Sequence, residues 1–270
     1  MDTEICIAGR GAGAGDVEMM KSRVDIRVAL RDGVSSLRQS YYTPPFKVAD
    51  ITEDKRAVLL QLMMMCSSPG ILEGDDHALR VELGEDSQLQ LYTQSYQRLF
   101  QMKRGATQSM EVRLGKGAGF FYLPHPTVPH GDAVFMARNK IFLSEGCRLV
   151  WGEVLTCGRK LSGEVFAYSK YHSITEVFLQ DKLVLRDNVC LRPLMEDVQA
   201  IGQLEGFTHQ ASLLLMGLAE AAGRIREYLS VQEGILSGVS EGPAGSLIVR
   251  LLGNKAEQLY EILCKLNLVY

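Results

Sequence analysis

Three stretches of the 270-residue chain gather side chains able to hold or hand on a cation. The first is Ser67-Ser68-Pro69-Gly70-Ile71-Leu72-Glu73-Gly74-Asp75-Asp76, a glycine-broken loop with three carboxylates ahead of an alternating segment. It reads either as a turn with a solvated acidic rim or as an oxygen-rich cation port. The second, residues 122–132, carries His125, His130 and Asp132 among Pro124, Pro126 and Pro129. Prolines fix φ and withhold ladder donors, so this path is an extended, rigid crossover. Imidazole suits nickel and zinc, but a five-residue step along an extended chain separates the two histidines by roughly 17 Å. That is too far to share one ion directly. The third, residues 151–164, places Glu153 and Glu164 on either side of Gly158-Arg159. If the flanking segments pair as a hairpin, the two carboxylates approach and repel unless Arg159, water or a cation lies between them. A Glu–Arg–Glu cluster that orders the turn and a metal site are both compatible with these residue types.

Other catalytic signatures fail. The chain has no GxSxG elbow and no HExxH, and its five histidines lie in unrelated contexts. Gly9-Arg10-Gly11-Ala12-Gly13 has no strand before it and no GK[ST] after it. Gly115-Lys116-Gly117-Ala118-Gly119 lacks the Ser or Thr that follows the lysine of a phosphate loop, and it reads as a hairpin turn between two strands.

The elements that must position these groups are mostly strands. Val24, Ile26, Val28 and Leu30 alternate with Asp25, Arg27 and Ala29 up to Asp32-Gly33, and the same period of two returns around Leu79–Leu83, Leu89–Thr93 and Met110–Leu114. Further strands are predicted over residues 119–123, 133–143, 148–155, 164–170, 173–179 and 183–188. Short strands about ten residues apart suggest an all-β domain. Residues 58–66 are ambiguous, because Leu and Met favour helix while a continuous apolar run also fits a strand buried on both faces. Helical period appears only near the end. Leu218, Ala222, Ile225 and Leu229 mark one short helix; a strand follows at 246–252. Ala256, Leu259, Tyr260, Leu263 and Leu266 mark a second helix, with Asn254 available as N-cap. The second helix reads as a lid on the core, or as a docking element.

Composition narrows the class. Lys plus Arg 29 against Asp plus Glu 32 gives a net charge of −3, which does not suit a nucleic-acid binder. No apolar run reaches the ~20 residues a membrane helix needs, and the acidic start lacks the basic region of a signal peptide. Six scattered cysteines without a CxxC pair read as free thiols of a reducing cytoplasm. Residues 1–20 read as a flexible tail and residues 21–270 as a single domain, since no strong linker follows.

In this order and spacing the three acidic segments resemble the urease accessory protein UreD family, called UreH in some lineages. The resemblance begins at Ser22-Arg23, includes Tyr41-Tyr42-Thr43-Pro44-Pro45-Phe46-Lys47, Pro69-Gly70-Ile71-Leu72-Glu73-Gly74-Asp75, Thr93-Gln94-Ser95 and Leu123-Pro124-His125-Pro126-Thr127-Val128-Pro129, and continues through residues 151–164 and 187–193. It weakens after about residue 210. The family often has Gly-Gly-Asp where this chain has Glu73-Gly74-Asp75, and other residue types at His125 and His130. The resemblance implies a mainly β fold, a β-helix-like arrangement of many short strands with two α-helices near the C-terminus. On that basis residues 58–66 are predicted as strand, against propensity.

The resemblance also implies a function that composition does not give. Such proteins are not enzymes. They act in a nickel metallochaperone complex with UreF and the GTPase UreG, a two-fold heteromeric assembly that docks on apo-urease and matures it. Ni2+ passes through an internal water-filled tunnel, and no nucleotide binds this chain itself. A relay needs weak oxygen contacts that let a partly hydrated ion step onward. A carboxylate row facing a dry core is prohibitively costly, so water must accompany inward acids. Asp75, Glu153 and Glu164 are the predicted transient contacts, with Glu73, His125 and Asp132 as a second tier. The competing readings are an adaptor with no internal metal passage and, against the scattered histidines, a cupin-like metal-dependent β enzyme.

Overall fold

The structure, a computed structural model, describes residues 21–267. The glycine-rich segment 9–15, the predicted tail and Cys6 lie outside the described residues. The elements in order are β1 (Lys21–Arg31), β2 (Val34–Tyr42), β3 (Phe46–Asp50), β4 (Leu59–Cys66), β5 (Asp76–Leu83), β6 (Gln88–Thr93), β7 (Gln97–Leu99), β8 (Ala106–Leu114) and β9 (Gly119–Tyr122). They continue with β10 (Thr127–Pro129), β11 (Val134–Leu143), β12 (Arg148–Leu155), β13 (Lys170–Leu179), β14 (Lys182–Leu191), β15 (His209–Met216), α1 (Ala222–Ser230), β16 (Leu236–Glu241), β17 (Leu247–Gly253) and α2 (Ala256–Asn267). The fold is mainly β with two helices near the C-terminus, as predicted.

Two sheets face each other. One has seven strands in the order β14-β13-β11-β8-β5-β1-β2. The other has ten, along β16-β17-β15-β12-β9-β6-β4-β3, with β10 joined to β12 and β7 to β10. Within the first, β1, β5, β8, β11 and β13 run parallel. Within the second, β4, β6, β9 and β12 run parallel. The chain passes from one sheet to the other and back, β5 to β6, β8 to β9, β11 to β12, and so winds as a coil. Successive corners stack on one another: Asp86 donates its amide to the Lys116 carbonyl (2.9 Å) and Gly117 donates to Glu145 (3.0 Å).

This winding corrects the predicted hairpin at residues 115–119. That segment joins β8 in one sheet to β9 in the other, and each strand pairs with the equivalent strand one coil away. A true hairpin does form at Asp32-Gly33, where φ values of 53° and 79° give the left-handed conformation that tight two-residue connections need. Leu59–Cys66 is strand, one residue shorter than predicted: β4 lies between β3 and β6, and buried pairing overrides the helical propensity of Leu and Met. The strand predicted at 164–170 is absent. Glu164 is tied to Arg159 and to the Gly131 amide, and Phe166 has a φ of 54°, so the chain cannot extend before β13 begins at Lys170.

The coil stacks like with like along the seven-stranded sheet. Val28, Leu83, Leu114, Leu143 and Leu179 form one inward row; Ile26, Val81, Val112, Ile141 and Val177 form the next. The rows then turn polar: Val24, Leu79, Met110, Asn139, Thr175, followed by Ser22, His77, Gln108, Ala137, Ser173. One half of the space between the sheets is therefore a packed aliphatic core, while the other half contains buried polar groups that must find partners. The outer face of the ten-stranded sheet is also buried, because Val150, Val154, Leu213, Leu215, Val249 and Leu251 pack against α1 and α2. Ala256, Leu259, Ile262, Leu263 and Leu266 are the helical residues that close this layer. The Asn254 side chain does not follow the predicted capping role: its Oδ1 accepts from Thr208 Oγ1 at 3.0 Å. No helix among the described residues is long and apolar enough to cross a membrane.

Candidate functional site

Strand alternation along β12 turns Leu149, Trp151, Glu153 and Leu155 toward the facing sheet, and Val150 and Val154 toward the helices. Glu153 thereby enters the polar half of the interior. Its Oε1 accepts from Trp151 Nε1 (3.0 Å), Thr175 Oγ1 (3.2 Å) and Asn139 Nδ2 (3.4 Å), and its Oε2 from Ser173 Oγ (3.1 Å). Loss of water around the charge raises the Glu153 carboxyl above its ordinary value; the Trp151 hydrogen bond opposes this, and the nearby Asp187 charge adds to it. All four donors are uncharged. The carboxylate is thus hydrogen-bonded but has no cationic partner of its own.

Glu153 lies in the wall of a cavity that opens to the surface. The inner wall is polar where the rows turn polar: His77, Gln108, Asn139 and Ser173 line it together with Gln97 and Thr127. The outer part is bounded by Met64, Met65, Cys66, Tyr96 and His125. Among the described residues lining this cavity there is no lysine or arginine.

Asp75 does not sit on a solvated rim. It is buried, its Oδ2 accepts the Leu72 amide at 2.8 Å, and the same oxygen stands 3.6 Å from His77 Nε2. Asp75 therefore backs a residue of the cavity wall. His77 is 2% exposed and neither ring nitrogen has a hydrogen-bond partner. Burial lowers its pKa, against the pull of Asp75 and Asp76. His125 guards the mouth: its Nδ1 is 3.0 Å from Thr93 Oγ1, and its ring stacks on Tyr260 of α2 at 4.9 Å.

The remaining residues lie apart from Glu153. The hairpin that would bring Glu153 and Glu164 together does not form, because β12 ends at Leu155 and a loop with a single 3₁₀ turn follows. Glu164 instead accepts the Gly131 amide (3.0 Å) and the Arg159 guanidinium, which hold its carboxyl at about 2. Asp132 accepts from Gln101 Nε2 at 3.0 Å, and Glu73 accepts the Arg104 amide at 3.0 Å. His130 packs on Phe100, ring centroids 4.7 Å apart, whereas His125 packs on Tyr260. Among the described residues, no three His, Cys, Asp or Glu side chains assemble as a metal cage. The five described cysteines are all free thiols.

Asn139, Ser173, Thr175, His77 and Gln108 were not among the predicted site residues. Their signal was present in the sequence as polar residues at inward positions of alternating strands. Ser173 and Thr175, for instance, share the parity of Val177 and Tyr171.

These features define an architectural class: a coiled two-sheet β shell around a half-polar void, flanked by a layer of two helices. The chain belongs to the UreD urease accessory protein family, whose family model matches residues 20–269. It is 46% identical over 253 residues to the urease accessory protein UreD of Flavobacterium johnsoniae, covering 92% of this chain and 91% of the relative. The protein of that name from Acetivibrio thermocellus is 34% identical, over 90% of this chain and 94% of its own length. The one from Haemophilus influenzae strain 86-028NP is 32% identical, over 92% and 98%.

Proposed function

We propose that this chain is a non-catalytic scaffold of urease maturation that bridges apo-urease to UreF and UreG and passes Ni2+ through its interior. The observation that carries the reading is Glu153, a half-buried carboxylate in the wall of the cavity, with four neutral donors and no basic side chain in the lining. Such a site attracts a divalent ion without caging it. The Ser173 and Thr175 hydroxyls donate to Glu153 now, yet each also has lone pairs to offer. Rotation of a hydroxyl turns a donor into an oxygen ligand without moving the backbone. Asn139 can do the same by reversing its amide. A partly hydrated ion thus finds two or three weak oxygen contacts beside one charge, which supports passage rather than retention.

In this reading His125 stands at the entrance, Glu153 is the inner waypoint, and Asp75 orients the His77 wall. Glu164, Asp132 and Glu73 order the loops around the shell. The docking face of α2 is its outer side, Glu257, Glu261 and Lys265, since the opposite side is consumed by the core.

The test is co-expression of the full chain with UreF, UreG and apo-urease. Omitting the chain abolishes urease activation. Glu153→Gln keeps the shape and the Trp151 and Ser173 contacts, and it lowers nickel content of the urease about tenfold or more, a loss of at least ~1.4 kcal/mol. Normal nickel content with Glu153→Gln leaves the adaptor reading, in which no metal crosses the interior.

A further inference from the structure

The cavity has a second approach on the opposite side of Glu153. The seven-stranded sheet ends at β14 and the ten-stranded sheet turns outward through β15, β17 and β16, so a seam lies between β14 and β17. Asp187 of β14 and Arg250 of β17 form an ion pair across it. Two small crevices flank this pair. Arg250 and Ser212 line both. Trp151 is shared between the first and the large cavity, and Glu153 and Tyr171 between the second and the large cavity.

Register explains the arrangement. Glu153 faces Ser212 across β12 and β15, and Ser212 faces Arg250 across β15 and β17. On the other sheet Asp187 faces Thr175, whose hydroxyl donates to Glu153. Glu153, Ser212, Arg250, Asp187 and Thr175 therefore close a ring that joins the two sheets. The electrostatics of the two approaches differ. The large cavity has no basic lining residue, whereas the seam voids contain Arg250 twice and Arg186 once. A guanidinium never loses its charge in a protein, so it opposes a cation at every working pH.

We propose that Arg250 is the gate of this second mouth. Paired with Asp187 it keeps the seam closed to cations. An ion that has reached Glu153 leaves by this mouth only when Asp187 exchanges the guanidinium for the metal and Arg250 swings into solvent. The pair is half exposed, with side-chain accessibilities of 45% and 29%, so the swing displaces no core residue. This inference rests on the conduit reading of Glu153.

The experiment is equilibrium dialysis of the purified full chain against Ni2+ alone, with wild type, Arg250→Gln, Arg250→Lys and Arg250→Gln/Asp187→Asn. Freeing Asp187 creates a metal contact that wild type lacks, so Arg250→Gln binds one additional equivalent of Ni2+. Arg250→Lys behaves as wild type, and the double variant returns to wild-type stoichiometry. Equal Ni2+ binding by wild type and Arg250→Gln overturns the gate, as does a double variant that keeps the gain. If Arg250→Gln fails to fold, Arg250→Met, which retains the aliphatic stem over the seam, replaces it in the same comparison. The conduit reading fails separately, through normal urease loading by Glu153→Gln. Gain of Ni2+ by Arg250→Gln together with that result leaves the exchange at Asp187 standing and removes its role in transfer.

Discussion

Glu153 is held in a medium that resists its charge, and this has a measurable effect on folding. In the unfolded chain the group titrates near the ordinary glutamate value of 4.5, and in the folded chain it titrates higher. Between those two values the folded state keeps a proton that the unfolded state has lost. Stability therefore falls as pH rises through that window and is flat above it. Glu153→Gln removes the ionisation, so its melting temperature is expected to match or exceed that of wild type at neutral pH, with the difference shrinking as pH drops below about 4.5. Thermal unfolding of both proteins across pH checks this; a variant less stable at neutral pH than in acid, relative to wild type, contradicts it. The inward place of Glu153 was legible in the sequence, since Leu149, Trp151, Glu153 and Leu155 share one parity. The environment of Asp75 was not, because its neighbour His77 is brought inward by the coil rather than by the loop that carries the acids.

At the scale of elements, α2 bears much of the weight. Leu263 is buried between the helix and the outer face of the ten-stranded sheet, in a cluster with Val150, Val154 and Leu213. Leu263→Ala is expected to cost about 2–5 kcal/mol, read by chemical denaturation, because the sheet cannot collapse into the space left behind. A loss below ~1 kcal/mol would show that the helix is only loosely seated. The helix and its apolar face were readable from a period of 3.6, and most long strands from a period of two. The three-residue strand β7 was not, since so short a segment has no period; β10 was legible only as an extended path fixed by its prolines, and pairing with β7 makes it a strand. The turn at 164–170 was misread for a related reason. Val165, Phe166 and Tyr168 favour strand, but Arg159 and the Gly131 amide fix Glu164 at a corner and override that preference. Close backbone approach adds a further constraint on the acidic loop: a Cβ at Gly70 would lie 2.4 Å from the Arg98 carbonyl oxygen, so the loop seats against β7 only with glycine there.

Across the whole molecule the interior is graded from aliphatic to polar along the strand direction. Hydrogen exchange is expected to follow that gradient. The slowest amides belong to β8, β11 and β13 around Val112, Ile141 and Val177, where both neighbours in the ladder and the inward rows are complete. The edge strand β16, exposed along most of its length, exchanges fastest among the strands. Uniform protection along β11 would deny the gradient. This organisation was beyond the reach of local pattern. Strand assignment needs neighbours a few residues apart, whereas membership of a sheet depends on residues one coil away, some thirty positions along the chain as with Leu114 and Leu143. The seam follows from that long-range order and has no signature in any single segment, whereas the void shows locally only as polar residues at inward strand positions.

Both ladders of parallel strands end in reversed ones. In the seven-stranded sheet β2 and β14 run antiparallel to their neighbours; in the other sheet β3 and β15 do so. An open-ended solenoid grows by adding copies to its free rungs and is prone to fibre formation. Here an incoming parallel rung meets a strand of the wrong polarity, bearing Arg38 at one boundary and Lys182 and Arg186 at the other. The number of parallel turns among the described residues is consequently set by the reversed strands that flank them.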